Sequence, residues 1–150
     1  LNRAETEEIE NFDFLKFEKI NYPKILLESF VIVLPKLSDD EETGIAGSLA
    51  SMLGAFPGDF YSGLFSSRKN KIRKWPLGYS IHDIIKCKMP EFAIVDASER
   101  GQILAGLPLE IDKQFAKTLG KEWKEIQHLR LVEKSLIAKE EEKTEETTEE

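Results

Sequence analysis

The segment FAIVDASERGQILAGLPLEIDKQFAKTLG (92–120) carries two strand patterns followed by one helix pattern. Its first two parts, FAIVDAS (92–98) and QILAG (102–106), are short apolar runs, which are typical of buried strands. The last part, LEIDKQFAKTLG (109–120), has apolar residues at intervals of four, so it predicts an amphipathic helix with Gly120 as its C-cap. The segment therefore predicts strands layered against a helix.

The same alternation extends along the chain from this segment. SFVIVLP (29–35) is a continuous apolar run with β-branched residues, which predicts a strand buried on both faces, as in a parallel sheet covered by helices. Further patterns predict an irregular strand at 12–20, helices at 43–54 and 80–88, and a strand or helix at 125–139. This alternation predicts one α/β layered domain, with a mainly parallel or mixed sheet flanked by helices.

Charge divides the 150-residue chain into a folded part and two acidic ends. The net charge of the chain is -7, but residues 139–150 hold seven glutamates and two lysines, and residues 1–11 hold four glutamates and one arginine. We expect a flexible acidic flank at 1–11. The tail at 139–150 has no apolar residue to bury, so we expect it to be disordered, with the alternative that it prolongs a final helix by a turn or two. The domain at 12–138 is then close to neutral.

Composition excludes several classes of protein. One cysteine, Cys87, excludes an internal disulfide framework and an iron–sulfur cluster held by four thiolates within this chain. No apolar run approaches the roughly 18 residues that cross a bilayer, and no signal-peptide pattern is present. We therefore expect a cytoplasmic chain with no membrane association and no cofactor of its own.

Several stretches resemble a known family in order and spacing. They are INYPKILLESFVIVLPKL (20–37), TGIAGSLASMLGAFPG (43–58), MPEFAIVDAS (89–98), ILAGLPLEIDKQFAKTLG (103–120) and EIQHLRL (125–131). Together they resemble the later part of the proteins grouped as domain of unknown function 362. The resemblance implies an α/β fold without the first part of the family's domain, so the chain is expected to be a truncated relative or a piece of a longer protein.

The chain departs from this family at its polar motifs. Ser38-Asp39-Asp40 stands where the family has Lys-Thr-His, and Ala50-Ser51 stands where it has Lys-Asn. The family's Gly-Pro loop after Asp96 is missing, as are the cysteine-rich segments of many relatives. The resemblance therefore implies a degenerate relative that keeps the fold and has lost most polar positions suited to a ligand.

Four residues are candidates for ligand binding: Lys36, Asp96, Gly106 and Asp112. Lys36 and Asp96 follow predicted strands, and open α/β sheets bind ligands at the carboxyl ends of their strands. Gly106 precedes the start of the helix at 109–120, where backbone N–H groups attract anions. Each residue also has a structural alternative, since Lys36 can be solvated, Asp96 can cap a turn and Asp112 can cap a helix.

A basic segment at 60–80 is unusual in composition. Aromatic residues flank five positive charges within seven residues: Arg68, Lys69, Lys71, Arg73 and Lys74. Such a loop fits an anionic small ligand or an acidic partner, and more weakly a nucleic acid, because no nucleic-acid-binding motif surrounds it. The structural alternative is a flexible loop at 59–77.

The remaining polar residues favour structural roles. The acidic run 39–42 complements a helix dipole better than it binds a cation. His82 and its neighbour Asp83 are expected to point in different directions, and neither His82 nor His128 has a recognisable nucleophile nearby. Cys87 is expected to be an inert thiol.

Two main functions remain open at the sequence level, with a weaker third. The first is a non-catalytic domain that binds an anionic small ligand or a partner protein near Lys36, Asp96 and Gly106. The second is an enzyme that uses Asp96 and Asp112 around a divalent metal, and the third is nucleic-acid binding through 68–75. No catalytic residue or metal site is assigned, and the oligomeric state stays open. If Lys36, Asp96 and Asp112 line one crevice, the enzyme gains a site.

Overall fold

Short strands and helices alternate along the chain, and the computed structural model describes residues 1, 3–62, 70–73 and 76–148. The strands are β1 (Thr6–Glu10), β2 (Lys19–Pro23), β3 (Ile32–Val33), β4 (Ser38–Asp40), β5 (Gly44–Ala46), β6 (Phe92–Ala97) and β7 (Gln102–Gly106). The helices are α1 (Lys24–Leu27), α2 (Ser48–Ser51), α3 (Gly58–Tyr61), α4 (Leu77–Cys87), α5 (Pro108–Thr118) and α6 (Gln127–Thr148). Single 3₁₀ turns occupy Met52–Ala55, Asn70–Arg73, Ser98–Arg100 and Trp123–Glu125.

The main sheet is mixed, with strand order β3-β6-β7. Strand β3 runs parallel to β6 with Ile32 opposite Phe92, and a parallel bridge between Lys36 and Asp96 continues this pairing. Strand β7 runs antiparallel to β6, because a tight turn that ends at Gly101 (φ 69°) joins the two strands as a hairpin. The mixed α/β class expected from the sequence is confirmed, and the sheet is mixed rather than mainly parallel.

The first acidic residues form a strand rather than a flexible flank. β1 pairs antiparallel with β2, and Glu8 of β1 pairs with Lys19 of β2 at 2.9 Å. Just before β1, Glu5 pairs with Lys24 at 2.5 Å. β2 carries the fully buried Ile20 and so ties this hairpin to the core. The prediction of flexibility for 1–11 overlooked the complementary lysines of 19–24.

Two predicted elements have different structures. Residues 12–18 form turns and bends instead of a strand, because the Asp83 carboxylate accepts backbone N–H bonds from Leu15, Lys16 and Phe17 and so bends this segment towards α4. The predicted helix at 43–54 is replaced by the β4–β5 hairpin, helix α2 and a 3₁₀ turn. Gly44, with φ 82°, forms the hairpin turn.

The longer helices follow the sequence pattern with shifted ends. α4 begins at Leu77 after Pro76, ahead of the predicted cap Ser80, whose hydroxyl instead donates to the Ile72 carbonyl. α5 starts with Pro108, and Gly120 adopts φ 73° just beyond its end, as predicted. The segment 125–139, predicted as a strand or a helix, is mostly helical because it lies in α6. This helix continues to Thr148, into the tail that was predicted to be disordered. Glutamate and lysine are strong helix formers, which explains this extension.

Helices cover one face of the main sheet. Ala93, Val95 and Ala97 of β6 alternate inward and are buried, and α5 packs against β6 and β7. On the other face, Phe30, Ile32 and Leu34 are exposed, so the prediction that 29–35 is buried on both sides is wrong. None of the helices in the described ranges has the length and apolarity to cross a membrane.

Candidate functional site

The structure brings Lys36 and Asp96 together at one end of the main sheet. Backbone hydrogen bonds join the two segments, from the Asp96 N–H to the Pro35 carbonyl and from the Leu37 N–H to the Asp96 carbonyl. Lys36 Nζ lies 2.8 Å from Glu99 Oε1, and this ion pair raises the pKa of Lys36. Hydrogen bonds from the Ser98 side chain and from the Ser98 N–H, the latter at 2.8 Å, lower the pKa of the Asp96 carboxylate. Asp96 therefore caps the β6–β7 turn.

Gly106 lies at the opposite end of the same sheet. It pairs with Ala93, three residues before Asp96 on β6, which corresponds to a separation of roughly 10 Å along the strand. Its φ of 155° is a backbone conformation that favours glycine, and a Cβ at this position would contact Ile111 at 3.4 Å. Gly106 therefore does not join Lys36 and Asp96 in one site.

Asp112 is buried in α5 and holds the start of α2. Its two carboxylate oxygens accept the backbone N–H groups of Ser48 at 2.7 Å and Leu49 at 2.9 Å. Burial raises the pKa of Asp112 to about 6, although these hydrogen bonds act in the opposite direction. A Cβ at Gly47 would lie 2.5 Å from Asp112 Oδ1, so the close approach requires glycine.

The metal centre considered for Asp96 and Asp112 has no shared site. Asp96 points to the open face of the sheet, whereas Asp112 lies buried on α5, the helix that covers the other face. No group of three or more metal-ligating side chains occurs within the described residues. Lys36, Asp96 and Asp112 therefore do not line one crevice.

A crevice of about 250 Å³ next to Lys36 is bordered by two cations, Lys36 and Arg73. Each already has an acidic partner: Lys36 pairs with Glu99, and Arg73 pairs with Glu42 at 2.5 Å. An anion entering this crevice would have to displace a carboxylate.

The described part of the basic segment includes Lys71 and Arg73. Lys71 Nζ donates to the Phe60 carbonyl at 2.7 Å, so this lysine stabilises the local chain. Arg68, Lys69 and Lys74 lie outside the described residues. Anion or nucleic-acid binding by this segment stays a prediction.

The open face of the main sheet is apolar over most of its area. The strand register places Leu34, Ile94 and Ala105 in one row, and Lys36, Asp96 and Ile103 in the next row towards the β6–β7 turn. Six large apolar side chains of these strands and of the residues that flank them are between 38% and 73% exposed: Phe30, Ile32, Leu34, Ile94, Ile103 and Leu107. We call this set the open sheet face. Together its members expose on the order of several hundred Å², which is the size of an apolar patch that marks an interaction site.

Sequence reasoning missed the open sheet face because 29–35 is apolar at every position. Such a run cannot distinguish a strand covered on both sides from a strand covered on one side only. The β6 sequence did carry a signal, since Asp96 shares a face with Ile94 and an aspartate is rarely buried without partners.

A second arrangement that the sequence did not reveal lies between α4 and α6. His82 Nδ1 lies 2.8 Å from Asp83 Oδ1, and His82 Nε2 lies 2.9 Å from Ser135 Oγ. The expectation that His82 and Asp83 point apart is wrong, because the carboxylate folds back towards the ring of its neighbour. Ser135 is 53 residues away from His82 in sequence, so no local pattern predicted their contact.

The other titratable groups are structural. Burial raises the pKa of Cys87 to about 12, which agrees with an inert thiol. His128 is fully buried, and burial lowers its pKa to about 4.

Comparison of the chain with protein-family models, curated proteins and solved structures finds no match. The resemblance to domain of unknown function 362 therefore stays a prediction from the sequence.

Proposed function

We propose that this chain is a protein-binding domain, that the open sheet face is its docking surface, and that the occupant of this face is a second copy of the chain. The observation that carries the proposal is the exposure of the six large apolar side chains of the open sheet face. Because the helices of the described ranges pack on the opposite face of the sheet, this surface exposes a hydrophobic layer that a partner can remove from water.

The size of the open sheet face fits a dimer. A standard interface buries about 800 Å² on each partner, and the exposed area of this face is of the same order of magnitude. Two such faces can pack as a sandwich with the sheets about 10 Å apart. A two-fold arrangement brings the same patch from both copies and needs no other protein.

The charges at the border of the face fit self-association. Lys36 and Glu99 form an exposed ion pair beside Asp96, so one corner of the face carries both signs of charge. In a two-fold arrangement, each copy therefore offers a positive and a negative group to the other. Because both signs of charge lie together at this corner, the face offers no patch of a single charge that would favour a strongly basic or acidic partner.

The other functions expected from the sequence receive less support from the contacts in the structure. An anionic small ligand near Lys36 would compete with Glu99 and Glu42, which makes it the weaker alternative. A degenerate, non-catalytic relative of domain of unknown function 362 and a cytoplasmic location stay predictions. The metal-dependent enzyme receives no support from the positions of Asp96 and Asp112.

Two substitutions on the open sheet face test the proposal. Leu34→Lys and Ile103→Lys place a charge at side chains that are already exposed, so the fold is expected to change in stability by less than about 0.5 kcal/mol. Ile137→Lys is the matched control, because Ile137 is an exposed apolar residue on α6, outside the open sheet face.

Sedimentation equilibrium over a range of protein concentrations gives the mass of each variant. We expect a dimer for the wild-type chain and for Ile137→Lys, and monomers for Leu34→Lys and Ile103→Lys. A wild-type chain that stays monomeric at high concentration contradicts the proposal, as does a dimer that both face variants leave intact.

A further inference from the structure

A chain of hydrogen bonds links a serine on α6 to a buried carboxylate on α4. Ser135 Oγ lies 2.9 Å from His82 Nε2, and His82 Nδ1 lies 2.8 Å from Asp83 Oδ1. The His82 and Asp83 side chains are almost completely buried, whereas Ser135 is partly accessible. Serine, histidine and aspartate in this order form the hydrogen-bond pattern of an activated nucleophile.

Asp83 fixes the orientation and tautomer of the imidazole. Besides the ring, its oxygens accept backbone N–H groups from the bent segment 15–17, at 2.8 to 3.1 Å. A carboxylate held by these donors accepts a proton of the ring, which places that proton on Nδ1. Nε2 then carries a lone pair, and the Ser135 hydroxyl donates to it. The histidine is therefore placed to take the serine proton.

Two cavities meet at Ser135. The first has a volume of about 240 Å³, and apolar side chains form much of its wall: Ile85, Met89, Val132 and Leu136. The second has a volume of about 420 Å³ and is bordered by Phe12, Leu15 and Leu131. Ser135 and His82 line both cavities, so a molecule in either cavity can contact the serine.

Positive charge surrounds the same point. Lys86 and Lys139 line both cavities, and each follows His82 or Ser135 by one helical turn on the same helix face. Lys88 borders the first cavity and already pairs with Glu91 at 2.5 Å, whereas Lys134 borders the second cavity. Asp13 is the acidic group at the opening, and its carboxylate pairs with Lys86 at 2.6 Å. Ammonium groups near the serine favour a negatively charged oxygen at the reacting carbon.

We propose that Ser135 is the nucleophile of an esterase site, with His82 as its general base and Asp83 as a positioning residue. The substrate class is a small carboxylic ester whose apolar acyl group occupies the first cavity and whose alcohol group occupies the second. This site is separate from the open sheet face and does not depend on the proposed dimer.

The reaction follows from the positions of these groups. Ser135 Oγ forms a bond to the ester carbonyl carbon while its proton passes to His82 Nε2. The carbon–oxygen bond to the alcohol breaks, and His82 returns the proton to the leaving oxygen. Water then attacks the acyl-serine, gives a proton to His82 and releases the carboxylic acid, after which His82 reprotonates Ser135. The net reaction consumes one ester and one water and yields one acid and one alcohol.

A fluorophosphonate probe tests the nucleophile without knowledge of the natural ester. Attack by Ser135 forms an oxygen–phosphorus bond and expels fluoride, so the adduct is stable. Peptide mapping by mass spectrometry then locates it. We expect one adduct on Ser135 in the folded wild-type chain, and we expect p-nitrophenyl acetate to give a burst of p-nitrophenolate with acetylation at the same residue.

Three variants separate catalysis from a structural role. Ser135→Ala removes the nucleophile at a helix position where alanine is favourable, so it is expected to fold and to lose the adduct. His82→Gln, checked for folding by circular dichroism, is expected to slow labelling at least about 100-fold, the contribution of a general base. Ser51→Ala is the control. The Ser51 hydroxyl donates to the Ser48 carbonyl at 2.6 Å and is not part of the proposed site, so this variant should be labelled like the wild type.

The proposal is wrong if folded wild-type protein carries no adduct on Ser135, or if only lysines are modified. It is also wrong if His82→Gln labels Ser135 as fast as the wild type does. In both cases the hydrogen bond from Ser135 serves only to satisfy the buried imidazole.

Discussion

His128 makes the stability of the fold depend on pH. The side chain is fully buried, and neither ring nitrogen has a hydrogen-bond partner among the described residues. Burial lowers the pKa of His128 from 6.5 to about 4, against smaller opposing effects of the Thr43 backbone and the Asp40 carboxylate. The folded chain therefore keeps this imidazole neutral under conditions in which the unfolded chain protonates it.

The direction of the effect follows from proton binding. Between pH 6.5 and about 4 the unfolded state binds a proton that the folded state does not bind, so stability falls as the pH is lowered through this window. A shift of this size corresponds to about 3 kcal/mol of unfolding free energy. Above pH 6.5 the contribution vanishes, because both states are neutral.

The substitution His128→Leu isolates this contribution. It replaces two unpartnered ring nitrogens with a buried apolar side chain, so at pH 7 we expect the variant to be at least as stable as the wild type. Between pH 7 and pH 4 the wild type is expected to lose about 3 kcal/mol more than the variant does. Asp112 also titrates in this range, with the opposite sign, but its effect is common to both proteins and cancels in the difference.

Urea denaturation at pH 7, 5.5 and 4, followed by far-ultraviolet circular dichroism, gives the unfolding free energies. Equal losses of stability by the wild type and His128→Leu would show that His128 has the same pKa in the folded and unfolded states, and the predicted pH dependence would be wrong. A variant that is several kcal/mol less stable at pH 7 would show that the ring has partners that matter.

Three further substitutions or reactions probe other contacts. Gly47→Ala forces a Cβ against Asp112 and should destabilise the chain by about 2 kcal/mol or more in urea denaturation, whereas Gly54→Ala meets open space and should change stability by less than about 1 kcal/mol. Gly101→Ala should cost about 1 kcal/mol in the same assay, because its φ of 69° is unfavourable for alanine. Cys87, whose pKa burial raises to about 12, should react with iodoacetamide at pH 8 at least about 10-fold more slowly in the folded chain than in urea.

The two strands and the helix of 92–120 could be predicted from sequence because their signals are local, but the antiparallel pairing of the two strands was not predicted. β6 and β7 are apolar runs separated by a short polar turn, and α5 has apolar residues at helical spacing between Pro108 and Gly120. Nothing in these patterns depends on distant residues, so the predicted strands and the predicted helix are correct in type. The helix α5 begins and ends at different residues from those predicted.

The elements that were predicted wrongly depend on contacts between distant segments. The apolar pattern of residues 12–18 predicts a strand. In the structure, however, three of their backbone N–H groups donate to the carboxylate of Asp83, which is more than 60 residues away in sequence. The segment at 43–54 looks helical, but Asp112 caps a helix that starts only at Ser48. Side-chain caps supplied from another part of the chain leave no local pattern.

The candidate site was predicted in part. The adjacency of Lys36 and Asp96 followed from the rule that strand ends meet, and the bridge between them shows that adjacency. The same rule did not predict the positions of Gly106 and Asp112. β7 runs antiparallel to β6, and α5 covers the face of the sheet opposite the open sheet face. The relay of Ser135, His82 and Asp83 depends on the packing of α4 against α6, which sequence periodicity does not specify.

The distance between two copies of the open sheet face shows whether this face forms the dimer. Ala105 lies on this face, and Ala105→Cys in a Cys87→Ser background provides one site for a nitroxide spin label; Lys117→Cys on α5 provides a control outside the face. Two sheets packed about 10 Å apart bring labels at position 105 within roughly 20 Å of each other. Dipolar coupling at this distance for position 105, with weaker coupling for position 117, is the predicted result. Absence of coupling at position 105, or stronger coupling at position 117, would contradict the account.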